Sequence, residues 1–216
     1  MGIRGMVNHN IVTLVLLAFV NLLLMSAGGI AWTILGIILL AGGLFLTFRY
    51  GAQAGHEACS ILKTVSDTHI AESSALSGQD KQYVKQAWDR TRGIKALFAS
   101  ALVPYAASCI YLIMMLLGDG TDIPTVVARI VALLMALPYW PLIAWKYQTF
   151  TVLEWPIVVL LMVSPFVIPT FTYLGYLRGP KLWKKTEEAM AQGKRRAKAK
   201  SRIVKKSKPR EQKPQI

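Results

Sequence analysis

Apolar residues along this chain gather into five runs, at about residues 11–25, 30–48, 97–117, 123–145 and 155–177. Each approaches the ~20 predominantly apolar residues that a helix needs to cross a bilayer core. The pattern predicts an all-α, polytopic helical membrane protein. Ser26-Ala27-Gly28-Gly29 separates the first two runs with turn-forming residues, so the pair reads as a transmembrane helical hairpin over 1–48. A cleaved secretory signal is the rival reading of the first run, because Arg4 precedes it and small residues follow it. The immediate start of a second run favours the hairpin. Gly118-Asp119-Gly120-Thr121-Asp122 marks an acidic turn after the third run. Pro156, Pro165 and Pro169 lie in the fifth, where neighbouring groups can satisfy the freed carbonyls. Trp140, Trp145, Trp155, Tyr139, Tyr147, Tyr173 and Tyr176 fall near run ends, as amphipathic rings at a membrane boundary do.

Between the second and third runs, over 49–96, the pattern becomes amphipathic. Ala58, Ile61, Leu62 and Val65 repeat at helical spacing, and so do Tyr83, Val84, Ala87, Trp88, Thr91 and Ile94. A turn at Glu72-Ser73-Ser74-Ala75-Leu76-Ser77-Gly78, with Asp80 three residues beyond Ser77 as a weak capping box, separates them. The expected form is an extramembrane antiparallel helical hairpin that continues the spans and offers a surface to a protein partner. The spans resume over 97–177. Arg178-Gly179-Pro180 then reads as the stop of the fifth helix. Residues 181–192 read as a short interfacial helix anchored by Leu182 and Trp183. From about 194 the composition is too polar to bury a core, so a disordered basic tail is expected.

Charge complicates the count of spans. The net charge is +14, and 15 of the 25 basic residues lie from Arg178 onward. Cationic loops tend to stay cytoplasmic. Five spans would place the cationic central loop and the cationic tail on opposite sides, against that tendency. An even number would place them together, which requires one late segment to turn back. Pro138-Tyr139-Trp140-Pro141 and the proline-containing fifth run are the two weak points. The expectation is therefore four to six spans, in a multi-pass protein of the plasma membrane with a cytoplasmic tail.

Candidate chemistry is sparse. Gly55-His56-Glu57-Ala58-Cys59, with His69 beyond it, assembles metal-ligand residue types, and His56 and Cys59 share a helix face. A metal site on His56, Cys59 and His69 is the third-ranked reading; ordinary polar residues past the end of a span rank above it. Cys59 and Cys109 read as free thiols, and Cys59 as a nucleophile would need a lowered pKa and an oriented base. Arg129 lies inside the fourth run. It is either a transport residue or a structural charge that snorkels to the surface and pairs with Asp119 or Asp122, and the structural reading is preferred. Asn21 reads as interhelical glue, Glu154 as a partner of Lys146, and Gly36 with Ala41-Gly42-Gly43 as a close-packing stripe, internal or oligomeric.

Lys181, Lys184, Lys185, Lys194, Arg195, Arg196, Lys198 and Lys200 are expected to bind anionic lipid surfaces. Contact with nucleic acid or a ribosome through counterion release ranks lower, because aromatics that could stack on bases are lacking beyond Trp183. No phosphate loop, HExxH, nucleophile elbow or dinucleotide fingerprint occurs, and no cofactor is implied. The leading expectation is a non-enzymatic scaffold or assembly subunit of a membrane. The alternative is a transporter or channel subunit in which Arg129, Asn21 and the proline-broken last span line a path.

Overall fold

A computed structural model of the chain describes residues 2–27, 29–67, 86–117, 123–142 and 154–207, with side chains described except at 25–27, 29, 65–67 and 196–207. Every described element is helical: α1 (Ile3–Ala27), α2 (Gly29–Asp67), α3 (Arg90–Leu117), α4 (Ile123–Ala136) with a 3-10 turn at Leu137–Leu142, and α5 (Trp155–Ser207). Five helices are long and apolar enough to cross a membrane, the fourth only when the 3-10 turn is included. This is a membrane protein by its surface as well. Leu16, Phe19, Leu46, Leu102, Val103 and Leu116 are all exposed, forming a greasy exterior that suits lipid. The interior is built largely from small residues. Ala54, Ala58, Ala96, Ala132 and Ala136 are buried at contacts where helix backbones approach closely, the main source of helix attraction when lipid is as apolar as the side chains.

Helices α2 and α5 form the longest contact in the molecule, and they run parallel. Contacting residues keep a nearly constant numbering offset, 124 for Lys63 with Glu187 and 130 for His56 with Thr186. Two glycine pairs make the approach possible. Gly51 and Gly55 on α2 face Gly175 and Gly179 on α5, and a Cβ on any of the four would overlap the opposite backbone. Helix α1 lies antiparallel to α2, with Leu17 against Gly43 and the His9 ring stacked on Tyr50 at 3.7 Å. Helix α3 lies antiparallel to α5, with Gly93 against Tyr173 and Tyr176 and Tyr105 against Phe166. Ile3, Tyr50, Trp88 and Tyr176 therefore share one end of the bundle. Trp32, Leu112 and Ile157 share the other.

The fourth segment does not connect those two ends. It starts beside Met114 and Ile110, near the C-terminus of α3. At Ala136 the α-helix gives way to the 3-10 turn, where Pro138 cannot donate a helical hydrogen bond. Pro141 then packs on Gly36 and Trp140 clusters with Ile157, both in the half of the bundle where α4 began. Helix α5 starts in that same half and runs the full depth back. The described chain thus has four helices joining the two ends and one that enters and turns. The weak point anticipated at Pro138–Pro141 is where the turn occurs, and the central loop and the tail leave from the same end.

Two expectations are corrected. Arg178-Gly179-Pro180 does not stop the fifth helix, which continues to Ser207. Pro180 removes the hydrogen bond to the Tyr176 carbonyl, but Gly55 places the α2 backbone directly against that carbonyl. Gly179 is used for close packing and not as a helix cap. Beyond it, Lys, Arg, Ala and Gln extend a helix that already exists, so they avoid the unfavourable nucleation step that a free tail would face. The segment from 194 to 207, expected to be disordered, is helical; 208–216 lie outside the described residues.

The second correction concerns the last residues of the return arm of the expected extramembrane hairpin, most of which lies outside the described residues. The α2 extension does leave the bundle as a helix, but its described partner is α5. On the expected return arm, residues 86–89 are not helical, and α3 begins at Arg90 with Asp89 as its cap. The Trp88 N–H donates to the Ala58 carbonyl at 2.9 Å, tying the returning chain to α2. The turn at 72–78 and the arm up to 85 lie outside the described residues.

Candidate functional site

Past the glycine crossing, α2 and α5 leave the bundle side by side as a two-helix stalk. His56 is held between them. Its Nε2 shares a hydrogen bond with Thr186 Oγ1 at 3.2 Å, and its ring meets Trp183 edge-on at 5.1 Å. One turn or two further out, Lys63 pairs with Glu187 across the two helices. Ser60, Lys63 and Thr64 of α2 and Trp183, Glu187, Met190, Ala191 and Lys194 of α5 border a groove of about 360 Å³. The pairing is parallel, so both outer ends point away from the bundle. At a rise of ~1.5 Å per residue, residues 178–207 extend about 45 Å.

Lys181, Lys184, Lys185, Lys194 and Arg195 are all exposed on this helix. Arg196, Lys198 and Lys200 lie on its helical backbone, with side chains outside the description. Arg178 sits over the Phe48 ring at 5.7 Å, a cation–π contact at the base of the stalk. A helix fixes these cations on a rigid rod, whereas a disordered tail would spread them.

The metal-ligand string lies only partly within the described residues. His56 turns to Thr186 and Trp183, whereas Cys59 is buried at the base of the stalk, and His69 lies outside the described residues. Among the described residues, no three His, Cys, Asp or Glu side chains are placed to share an ion. Arg129 is half-buried on α4. Its expected partners Asp119 and Asp122 lie outside the described residues, as does Lys146, the expected partner of Glu154. Asn21 is fully buried, donates to the Leu17 carbonyl at 2.9 Å and packs between Gly36 and Pro141. Its Oδ1 has no hydrogen-bond partner, and neither do the buried hydroxyls of Ser108 and Ser164.

Three features escaped the pattern-based reading. Asn10, Ser100 and Thr172 join α1, α3 and α5 inside the bundle: Asn10 Nδ2 donates to Ser100 Oγ at 3.0 Å, and Thr172 Oγ1 donates to Asn10 Oδ1 at 2.5 Å. Two GxxxG motifs, Gly51–Gly55 and Gly175–Gly179, set the α2–α5 crossing. A cationic cleft gathers Arg4, Arg92 and Lys95 from two helices. The GxxxG strings were visible in the sequence, but their mutual register was not. No family model, curated protein or solved structure matches the chain.

Proposed function

We propose that this protein is a non-enzymatic membrane scaffold or assembly subunit, whose α2–α5 stalk and cationic rod engage an anionic membrane surface or a protein partner. The observation that carries the reading is the unbroken helix α5, which passes from the bundle into its most cationic segment while clamped to α2 by four facing glycines. A rod anchored in this way transmits position between the membrane and whatever it binds. The stalk side is assigned to the cytoplasm of a plasma membrane. Moving the tail's excess positive charge outward would oppose an inside-negative potential, and anionic lipids line the cytoplasmic leaflet. The α2 face within 49–96 is the surface assigned to a protein partner or a second copy of the chain. Adhesion to nucleic acid or a ribosome is the lesser outcome of the same charge.

The test is deletion of residues 194–216 from the full chain reconstituted in zwitterionic lipid. Capture of phosphatidylserine vesicles at 0.1 M salt should fall at least tenfold, since each cation near the surface contributes about 1 kcal/mol. Unchanged capture, together with unchanged cross-linking to neighbours in native membranes, would remove the main support for the scaffold.

A second reading, a transporter or channel subunit, is favoured by one observation: a proline-turned segment that enters the bundle next to Asn21, with unpaired polar atoms on Asn21, Ser108 and Ser164. Under it, Arg129→Leu should reduce potassium or chloride leak from proteoliposomes more than tenfold. Equal leak in both proteins would dismiss it.

A further inference from the structure

At the end of the bundle from which the stalk leaves, the N-termini of two long helices meet. Gly2, Ile3 and Arg4 of the first and Asp89, Thr91, Arg92 and Lys95 of the second line one cleft of about 450 Å³. Three of those side chains are cations and one is an acid. Asp89 is already engaged: it accepts from the Thr91 N–H at 3.0 Å and from the Thr91 hydroxyl, capping α3. Those bonds, with Arg92 and Lys95 nearby, hold its carboxyl below the ordinary carboxylate range, so it stays charged yet cannot neutralise three cations. Arg92 Nη1 is buried with no hydrogen-bond partner. Removing a guanidinium nitrogen from water without replacing its hydrogen bond is unfavourable, which leaves the cleft short of an acceptor.

The backbone adds to the deficit. The Gly2 carbonyl accepts from Gly5 and Met6, at 3.0 and 3.4 Å, so the N–H groups of Ile3 and Arg4 precede the first helical acceptor. The first turns of α1 and α3 both direct positive dipole ends here. The cleft also lies level with a belt of amphipathic rings. Trp88 stacks on Tyr176 at 6.2 Å, Tyr173 receives Arg90 Nε, and His9 stacks on Tyr50. Rings of this kind mark headgroup depth in a bilayer.

We propose that this cleft binds a phosphate group, with Arg92 as the forked donor, Lys95 and Arg4 as flanking charges and the α1 N-terminus as backbone donor. A guanidinium presents paired N–H groups that match phosphate oxygens, and the volume accommodates a headgroup. The phosphate belongs either to an anionic phospholipid in the adjoining leaflet or to a soluble phosphate compound. The site is separate from the cationic rod and does not depend on the scaffold reading.

The experiment uses the full chain, stripped of lipid in a non-ionic detergent, with phosphatidylglycerol, phosphatidylcholine and inorganic phosphate as probes. Thermal midpoint and lipid retention in native mass spectrometry are the readouts. Phosphatidylglycerol should stabilise the protein and stay bound, phosphatidylcholine should not, and the half-saturating concentration should rise at least tenfold in the Arg92→Gln/Lys95→Gln variant. Gly42→Ala, in open space away from both cationic surfaces, should leave it unchanged. Inorganic phosphate that binds and displaces the lipid would assign the site to the phosphate group itself; lipid binding that phosphate cannot displace would assign it to a phospholipid. Should the double variant fail to fold, Lys95→Gln and Arg4→Gln singly should each weaken binding at least threefold. The proposal is overturned if wild type binds neither anionic probe, or if the cleft variants bind as tightly as wild type.

Discussion

At the scale of single residues, this protein is held together by absences of side chain as much as by contacts. Gly55 and Gly179 oppose each other where α2 and α5 cross, and each has the other helix's backbone where its own Cβ would be. Gly42, the residue just before the packed Gly43, has open space around it. The contrast makes a controlled prediction. Gly179→Val and Gly55→Val should each destabilise the purified protein by about 1–3 kcal/mol or more, the usual penalty for overfilling a packed interior. Gly42→Ala should be near neutral or slightly stabilising, because it adds helix propensity without a clash. Thermal unfolding in detergent separates the three, and equal midpoints for Gly42→Ala and Gly179→Val would contradict the crossing described above.

At the scale of elements, the decisive case is α5. Its three internal prolines, Pro165, Pro169 and Pro180, would each be expected to weaken or end a helix in water. None ends it, because each lies where α5 is packed in the bundle or against α2. The same continuity fixes the state of the basic segment. Truncation after Gly193 should lower helical ellipticity by more than the loss of an equal number of coil residues would, and should leave the midpoint of the bundle unchanged. A truncated protein with the same total helical signal as the full chain would show that the segment beyond 193 is not helical. By contrast, the fourth segment carries only two prolines in its final turn, yet there the α-helix stops. Gly36 and Asn21 receive the turned chain, with Pro141 packed where a Cβ on Gly36 would sit.

For the whole molecule, the arrangement reconciles charge with topology. Among the described residues, four helices join the two ends of the bundle, the fourth segment turns within it, and the central loop leaves from the same end as the tail. Cysteines introduced at Gly78 and Ile216, in a background lacking Cys59 and Cys109, should therefore react with an impermeant thiol reagent from the same side of the membrane. Labelling from opposite sides would restore five full spans and reverse the assignment. It would also separate the cationic loop from the cationic rod, which the positive-inside tendency disfavours.

The sequence by itself determined the class of this protein, the positions of its apolar runs, the hairpin of the first two helices and the location of its charge. Those follow from local composition, because the cost of exposing apolar or charged groups to the wrong solvent is set residue by residue. It also marked Pro138–Pro141 as a place where a span could break. Only the tertiary structure decided which prolines break a helix and which do not, since that depends on the groups that receive each freed carbonyl. It alone set the register that brings Gly51 and Gly55 onto Gly175 and Gly179, more than a hundred residues apart. It alone converged Arg4, Arg92 and Lys95 on one cleft, and it laid the α2 extension against α5. Periodicity shows that a helix has a face to bury; the partner of that face is chosen by the packing of the whole chain.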